Sequence, residues 1–242
     1  MIFRILSADW IKMKRTWLVW LTLLGPVFML FAQSVNYGVR ADYLLKFGWE
    51  GKNSLFFWIF ALLGLTLMLG SCILAAMMAG HEHDANAWKQ IFALPVSRWQ
   101  LFISKAIWLC IFIGISALLT VVSMGIFGVV VGLPQPIPWV NLTKLIMYPY
   151  LATIPILAIQ LALSLNMKNQ AIPITVGVIG SILGPIFAMD SNPYLHWVPL
   201  AYPSLADIGQ NPEAGMMALY GGLVGVALIL IGAIQFSRKE VR

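Results

Sequence analysis

Apolar residues in this chain arrive in runs close to twenty residues long, separated by short clusters of charge, proline and glycine. A helix needs about 20 residues to cross about 30 Å of hydrocarbon, so each run reads as a membrane-spanning helix. Six runs qualify, at roughly 17–35, 55–79, 106–133, 145–165, 171–189 and 216–236. Ahead of the first, Phe3, Leu6, Trp10, Met13 and Trp17 recur at steps of three and four, while Arg4, Lys12 and Arg15 fall elsewhere. That periodicity predicts an amphipathic helix over residues 1–15, lying in the membrane interface. A simple anchor and a docking element both fit it.

Composition changes the picture only by removing alternatives. Of 242 residues, 60% are hydrophobic and 10% charged, where a soluble domain carries about a quarter charged. No connection is long enough for a soluble domain, and no internal repeat is visible. Residues 1–242 therefore read as one all-α transmembrane domain. No small-residue cleavage site follows the first run, so a removable signal peptide is not expected.

Lysine and arginine set the orientation, because retained loops are enriched in them. With the N-terminus inside, eleven face the cytoplasm: Arg4, Lys12, Lys14, Arg15, Lys89, Arg98, Lys105, Lys168, Arg238, Lys239 and Arg242. Four lie outside: Arg40, Lys46, Lys52 and Lys144. Both termini are therefore expected in the cytoplasm, and the protein in the cytoplasmic membrane as a multi-pass chain. The net charge of +6 follows from this topology, and nucleic acid is not an expected partner. Cys72 and Cys110 lie inside apolar runs and read as small hydrophobes.

The sequence lacks the parts of the common enzymes. There is no phosphate-binding G-x-x-x-x-G-K-[ST] loop; Gly51-Lys52-Asn53 has neither the upstream glycine nor the hydroxyl residue. His81-Glu82-His83-Asp84 has Ala85 where a zinc-protease helix needs its second ligand. No G-x-S-x-G is present, so neither catalytic residues nor a metal site nor a bound cofactor is expected. No Asp, Glu, Lys or Arg falls in the middle of a run, which argues against an autonomous ion-driven pump. Polar residues within the runs are few, chiefly Gln33, Ser71, Ser116, Thr120, Ser123, Gln160, Thr175 and Ser181. Hydrogen bonding between helices is the default expectation for them, and lining of a pathway the sharper one.

The most informative connection is 80–105. Its middle reads as a short helix with Trp88, Ile91 and Phe92 on one side, stopped by Pro95. Ser97 then fits an N-cap, with Gln100 completing a capping box into the third span. Helix, corner, helix at the membrane surface suits either docking of a partner's groove or an interfacial segment resting on headgroups. A second connection, 190–215, carries Tyr194, Trp197 and Tyr202 among Pro193, Pro199, Pro203 and Pro212.

The segment from Glu82 to Lys105, with its acidic start, short helix and Leu94-Pro95-Val96-Ser97-Arg98 corner, resembles the cytoplasmic loop of ABC-2-type transporter permeases. The opening Asp9-Trp10-Ile11-Lys12-Met13-Lys14-Arg15-Thr16, followed by a span with Gly25-Pro26, is similar to the lantibiotic-immunity and bacitracin-resistance branch. The stretch 81–86 departs from the glutamate-rich start common in the wider family. The resemblance implies a bacterial permease subunit without its own ATPase motif, served by separate ABC ATPase subunits that bind the ATP. Trp88, Lys89, Ile91, Phe92, Leu94, Pro95, Val96, Ser97 and Arg98 would dock the ATPase. It also implies a second permease, identical or related, with Gly180-x-x-x-Gly184 and Gly221-x-x-x-Gly225 as candidate faces; packing within one subunit explains these stripes equally. The implied cargo is a cationic amphipathic peptide antibiotic. Gln33 and Gln160, with Tyr194, Trp197 and Tyr202 over an outer mouth, are candidates for its path, although a headgroup-level aromatic belt predicts the same composition. Export of a lipid, a drug or sodium ions, or a scaffold recruiting a cytoplasmic partner, stays open.

Overall fold

The computed structural model describes residues 2–50, 54–84, 97–209 and 211–238. Among them it contains α1 (Ile2–Met13), α2 (Leu18–Phe47), α3 (Leu55–Asp84), α4 (Arg98–Val130), α5 (Trp139–Asn166), α6 (Ala171–Met189), a 3-10 turn (Leu195–Trp197), α7 (Tyr202–Leu205) and α8 (Ala214–Ser237), with no strand. Six of these, α2 to α6 and α8, are long and apolar enough to cross a membrane.

The spans match the apolar runs in number and order, but the helices outrun the runs at several ends. α2 continues to Phe47, where Gly48 at φ 66° closes it by donating its N–H to the Leu44 carbonyl at 2.9 Å. α3 continues through the charged stretch to Asp84, and α4 begins at Arg98. Charge ends an apolar run without ending a helix, because Glu, Lys and Arg are good helix formers. The connection expected at 80–105 is correspondingly shorter. Pro26, Pro149, Pro155 and Pro185 all lie inside helices that persist through them.

α5 is the hub, packed against α3, α4 and α8, while α2 rests on α3 and α4, and α6 on α3. Glycine allows the closest approaches. A Cβ at Gly221 or Gly225 would stand 2.5 Å from Ala152 Cα or Ile154 Cγ2 of α5. One at Gly180 or Gly184 would meet Leu200 in the connection after α6. Both small-residue stripes are thus consumed within the chain, which settles their open alternative in favour of internal packing. Gly25 brings α2 onto α4, with Ser116 Oγ 2.7 Å from the position of its missing Cβ.

Most polar residues of the spans do not link helices. Ser71, Thr120, Ser123, Thr175 and Ser181 each donate to a carbonyl three or four residues back in their own helix, at 2.5 to 3.1 Å. In hydrocarbon the nearest acceptor is the backbone one turn away, and a short hydroxyl reaches it without a partner helix. The expectation of interhelical bonding holds for Gln160: with its amide turned so that both atoms are satisfied, it donates to Pro173 O at 3.1 Å and accepts from Gly177 N at 3.2 Å, joining α5 to α6.

Phe102 near the start of α4 makes a tilted ring contact at 6.0 Å with Phe236 near the end of α8, so the last helix finishes at the end of the bundle where α4 begins and α1 is fastened. Replacing Gly225 by Val is expected to lower stability by about 1–3 kcal/mol, the usual cost of overpacking. Gly222→Ala, where nothing lies within 4 Å, should be silent. Thermal unfolding of the purified variants in detergent checks the contrast.

Candidate functional site

The segment singled out for docking is bounded by the ends of α3 and α4. Trp88, Lys89, Ile91, Phe92, Leu94, Pro95 and Val96 lie outside the described residues; Ser97 and Arg98 lie inside. Ser97 has the extended backbone of an N-cap, φ −73° and ψ 139°, and its carbonyl accepts from Gln100 N at 3.1 Å. Its hydroxyl makes no capping bond, so the cap is formed by the main chain and the expected capping box is not closed.

Just inside these two ends, Lys105 Nζ of α4 meets Glu82 Oε1 of α3 at 2.5 Å, with both side chains buried. The last turn of α3 is therefore tied across the 85–96 segment to a point about two turns into α4. Glu82 Oε2 is buried with no hydrogen-bond partner among the described residues, so the pair is only half satisfied. Burying such charges costs several kcal/mol per ion, which their attraction returns only with good geometry and further hydrogen bonds.

α1 is fastened to the same place. Asp9 is 5% exposed and accepts from Ser104 Oγ at 2.6 Å, the residue next to Lys105. Trp108 Nε1 donates to the Leu6 carbonyl at 3.1 Å, and Trp10 stacks on Trp108 with centroids 5.1 Å apart. The face that α1 buries is Ile5, Asp9 and Met13. Phe3 and Trp17, from the stripe read as apolar, are 81% and 74% exposed. The stripe is thus divided: Met13 is buried and Trp10 packs on α4, while Phe3, and Trp17 beyond the end of the helix, are left for the surroundings. Asp9, Lys12, His81, Glu82 and Lys105 together border a small cavity of about 40 Å³.

The path candidates are scattered. Gln33 is fully buried, accepts from Asn36 Nδ2 at 3.2 Å, and has its own Nε2 buried without a partner among the described residues. Gln160 is occupied by α6 as described. Tyr194 and Trp197 are exposed, and Trp197 lies 6.3 Å from Tyr220 of α8. Tyr202 is buried and donates its hydroxyl to the Trp197 carbonyl at 3.0 Å; burial pushes its phenol pKa up, which keeps the donor protonated. Tyr202 thus holds the aromatic connection in shape.

At that end of the bundle, remote from the termini, opens a cavity of about 960 Å³. None of the five path candidates is among its described lining residues, which include Glu50, Asn141, Lys144 and Asp207. They come from four separated stretches of chain, and the sequence offered no local signal that they meet. Glu82 and Lys105 were missed as a pair because charge was read as exit from the membrane. Their opposite signs on either side of one break were the available signal.

No curated protein matches the chain. A family model described as ABC-2 family transporter protein matches residues 5–184, which takes in most of α1, the spans from α2 to most of α6, and the Glu82–Lys105 tie. The protein belongs to the ABC-2 transporter family, and is a multi-pass permease subunit of an ABC transporter that works with an ABC ATPase subunit.

Proposed function

We propose that this permease is half of an exporter that expels a cationic amphipathic peptide antibiotic across a bacterial cytoplasmic membrane, giving self-protection or resistance. The other half is a second permease, identical or related. The reading of the cargo rests on the resemblance of residues 9–16 and Gly25-Pro26 to the immunity and resistance branch. The orientation rests on the lysine and arginine bias, with both termini in the cytoplasm.

The observation that carries the mechanism is the buried Glu82–Lys105 pair at the roots of the 85–96 segment. In this reading the ATPase subunit docks on that segment through Trp88, Lys89, Ile91, Phe92 and the 94–98 corner. Because α3 and α4 are tied immediately behind it, a push on the segment displaces both helices together. Asp9–Ser104 and the Trp10–Trp108 stack add α1 to the moving unit. A buried, half-satisfied pair is a poor device for stability but a good one for fixing how two helices sit.

Phe92→Asp is expected to abolish co-purification of the ATPase subunit, since loss of an apolar interface anchor costs about 2 kcal/mol or more; an intact complex would sink the docking assignment. Lys105→Met leaves the Glu82 carboxylate buried and uncompensated, an expected loss of about 3–5 kcal/mol in stability. The double change Glu82→Gln with Lys105→Met should regain most of the thermal midpoint while lowering cargo-stimulated ATP hydrolysis in proteoliposomes. Tolerance of expressing cells to a panel of cationic peptides tests the cargo: no change with any peptide overturns that part.

A further inference from the structure

The 960 Å³ cavity takes no part in the coupling above. Its size is at the upper end for small-molecule sites, about 300–1,000 Å³. It is walled by the turn after α2, the start of α3, the first turns of α5 and the connection before α8, so it lies at one end of the spans, the level at which a bilayer's hydrocarbon gives way to headgroups.

Its lining has a definite chemistry. Glu50 is held in orientation by Asn141, whose Nδ2 donates to Oε1 at 2.6 Å. Asp207 brings a second carboxylate, 5% exposed and fixed in part by the Gly209 N–H at 2.8 Å. The rings of Phe56 and Tyr148 form neighbouring wall. Carboxylates beside aromatic surface are the combination that receives an ammonium group carrying an apolar stem. Lys144 lies on the same wall, one helical turn from Tyr148, as the one cation among the described lining residues. It makes no ion pair among the described residues.

We propose that this cavity binds the head of an amphipathic molecule bearing a primary ammonium group. Glu50 takes the ammonium, the buried Asp207 adds negative charge behind it, Phe56 and Tyr148 cover the adjoining methylenes, and Lys144 meets an anionic group beside it when the ligand has one. Two sources share that chemistry: the ethanolamine phospholipids of the bilayer, whose phosphate would engage Lys144, and a simple amphipathic amine.

The full chain in nanodiscs of equal parts phosphatidylethanolamine and phosphatidylcholine tests this, with retained lipid identified by native mass spectrometry. Choline has no N–H to donate. Enrichment of phosphatidylethanolamine is expected, falling on the order of tenfold in Glu50→Gln, as loss of one charge-assisted hydrogen bond predicts. A matching fall in Lys144→Ala identifies the bilayer lipid. In a second arm, dodecylamine is titrated into phosphatidylglycerol nanodiscs. Binding that needs Glu50 but not Lys144, without ethanolamine enrichment in the first arm, identifies the simple amine. Glu50 and Lys144 are both surface-accessible in the fold, so these variants are expected to unfold at the wild-type temperature. Retained lipid at the nanodisc ratio, together with dodecylamine binding unchanged by Glu50→Gln, overturns the proposal.

Discussion

Hydrocarbon offers no hydrogen-bond partner, so every polar group that enters it must be satisfied from within the chain. The spans obey this first at the main chain by being helical, and the four prolines they carry each remove one N–H donor without ending the helix. They obey it again at the side chains. Serines and threonines of the spans mostly bond to their own helix, so that apart from Gln160 and the Tyr150 hydroxyl, which donates to the Cys110 carbonyl at 2.9 Å, van der Waals contact holds helix against helix. That is why glycine controls the architecture: α8 can seat on α5 only where Gly221 and Gly225 remove the Cβ.

Where the same constraint is relaxed, at the two ends of the bundle, charged groups join in linking different helices. One end gathers Asp9, Glu82, Ser104 and Lys105 into a tie between α1, α3 and α4. The other joins Trp49 Nε1 to the Pro134 carbonyl at 2.8 Å and Asn141 to Glu50, fixing the turn after α2 onto the approach to α5. Arg40, where α2 departs from helical angles, stacks over Trp58 at 4.3 Å. The middle of the molecule is held by shape and the ends by charge. Movement that keeps the middle packed must therefore be steered from an end.

The spans were legible because length and composition alone decide them, and α6 falls on the residues read from its apolar run. The ends were not. Helix propensity carries α3 past Gly80 into charged sequence, and no local pattern says that Glu82 turns inward rather than to water. Ser97 was legible as a boundary but not as a main-chain cap, since its hydroxyl has alternatives the sequence does not rank. Among the candidate site residues, Tyr202 was found for its ring and matters structurally for its hydroxyl. The large cavity was beyond reach, because Glu50, Asn141 and Asp207 meet only after three helices have packed.

The fastening of α1 sets an order of events during synthesis. Ser104 lies 95 residues after Asp9, and Trp108 lies 102 after Leu6. At about 5–20 residues per second, these partners emerge roughly 5–20 seconds after α1 itself. Through that interval Asp9 has nothing on α4 to receive it, and Phe3 and Trp17 are the surface by which the helix can rest on a bilayer. Its buried face, Ile5, Asp9 and Met13, finds a partner only when the third span arrives, so the first helix reaches its final place after two later spans have been made.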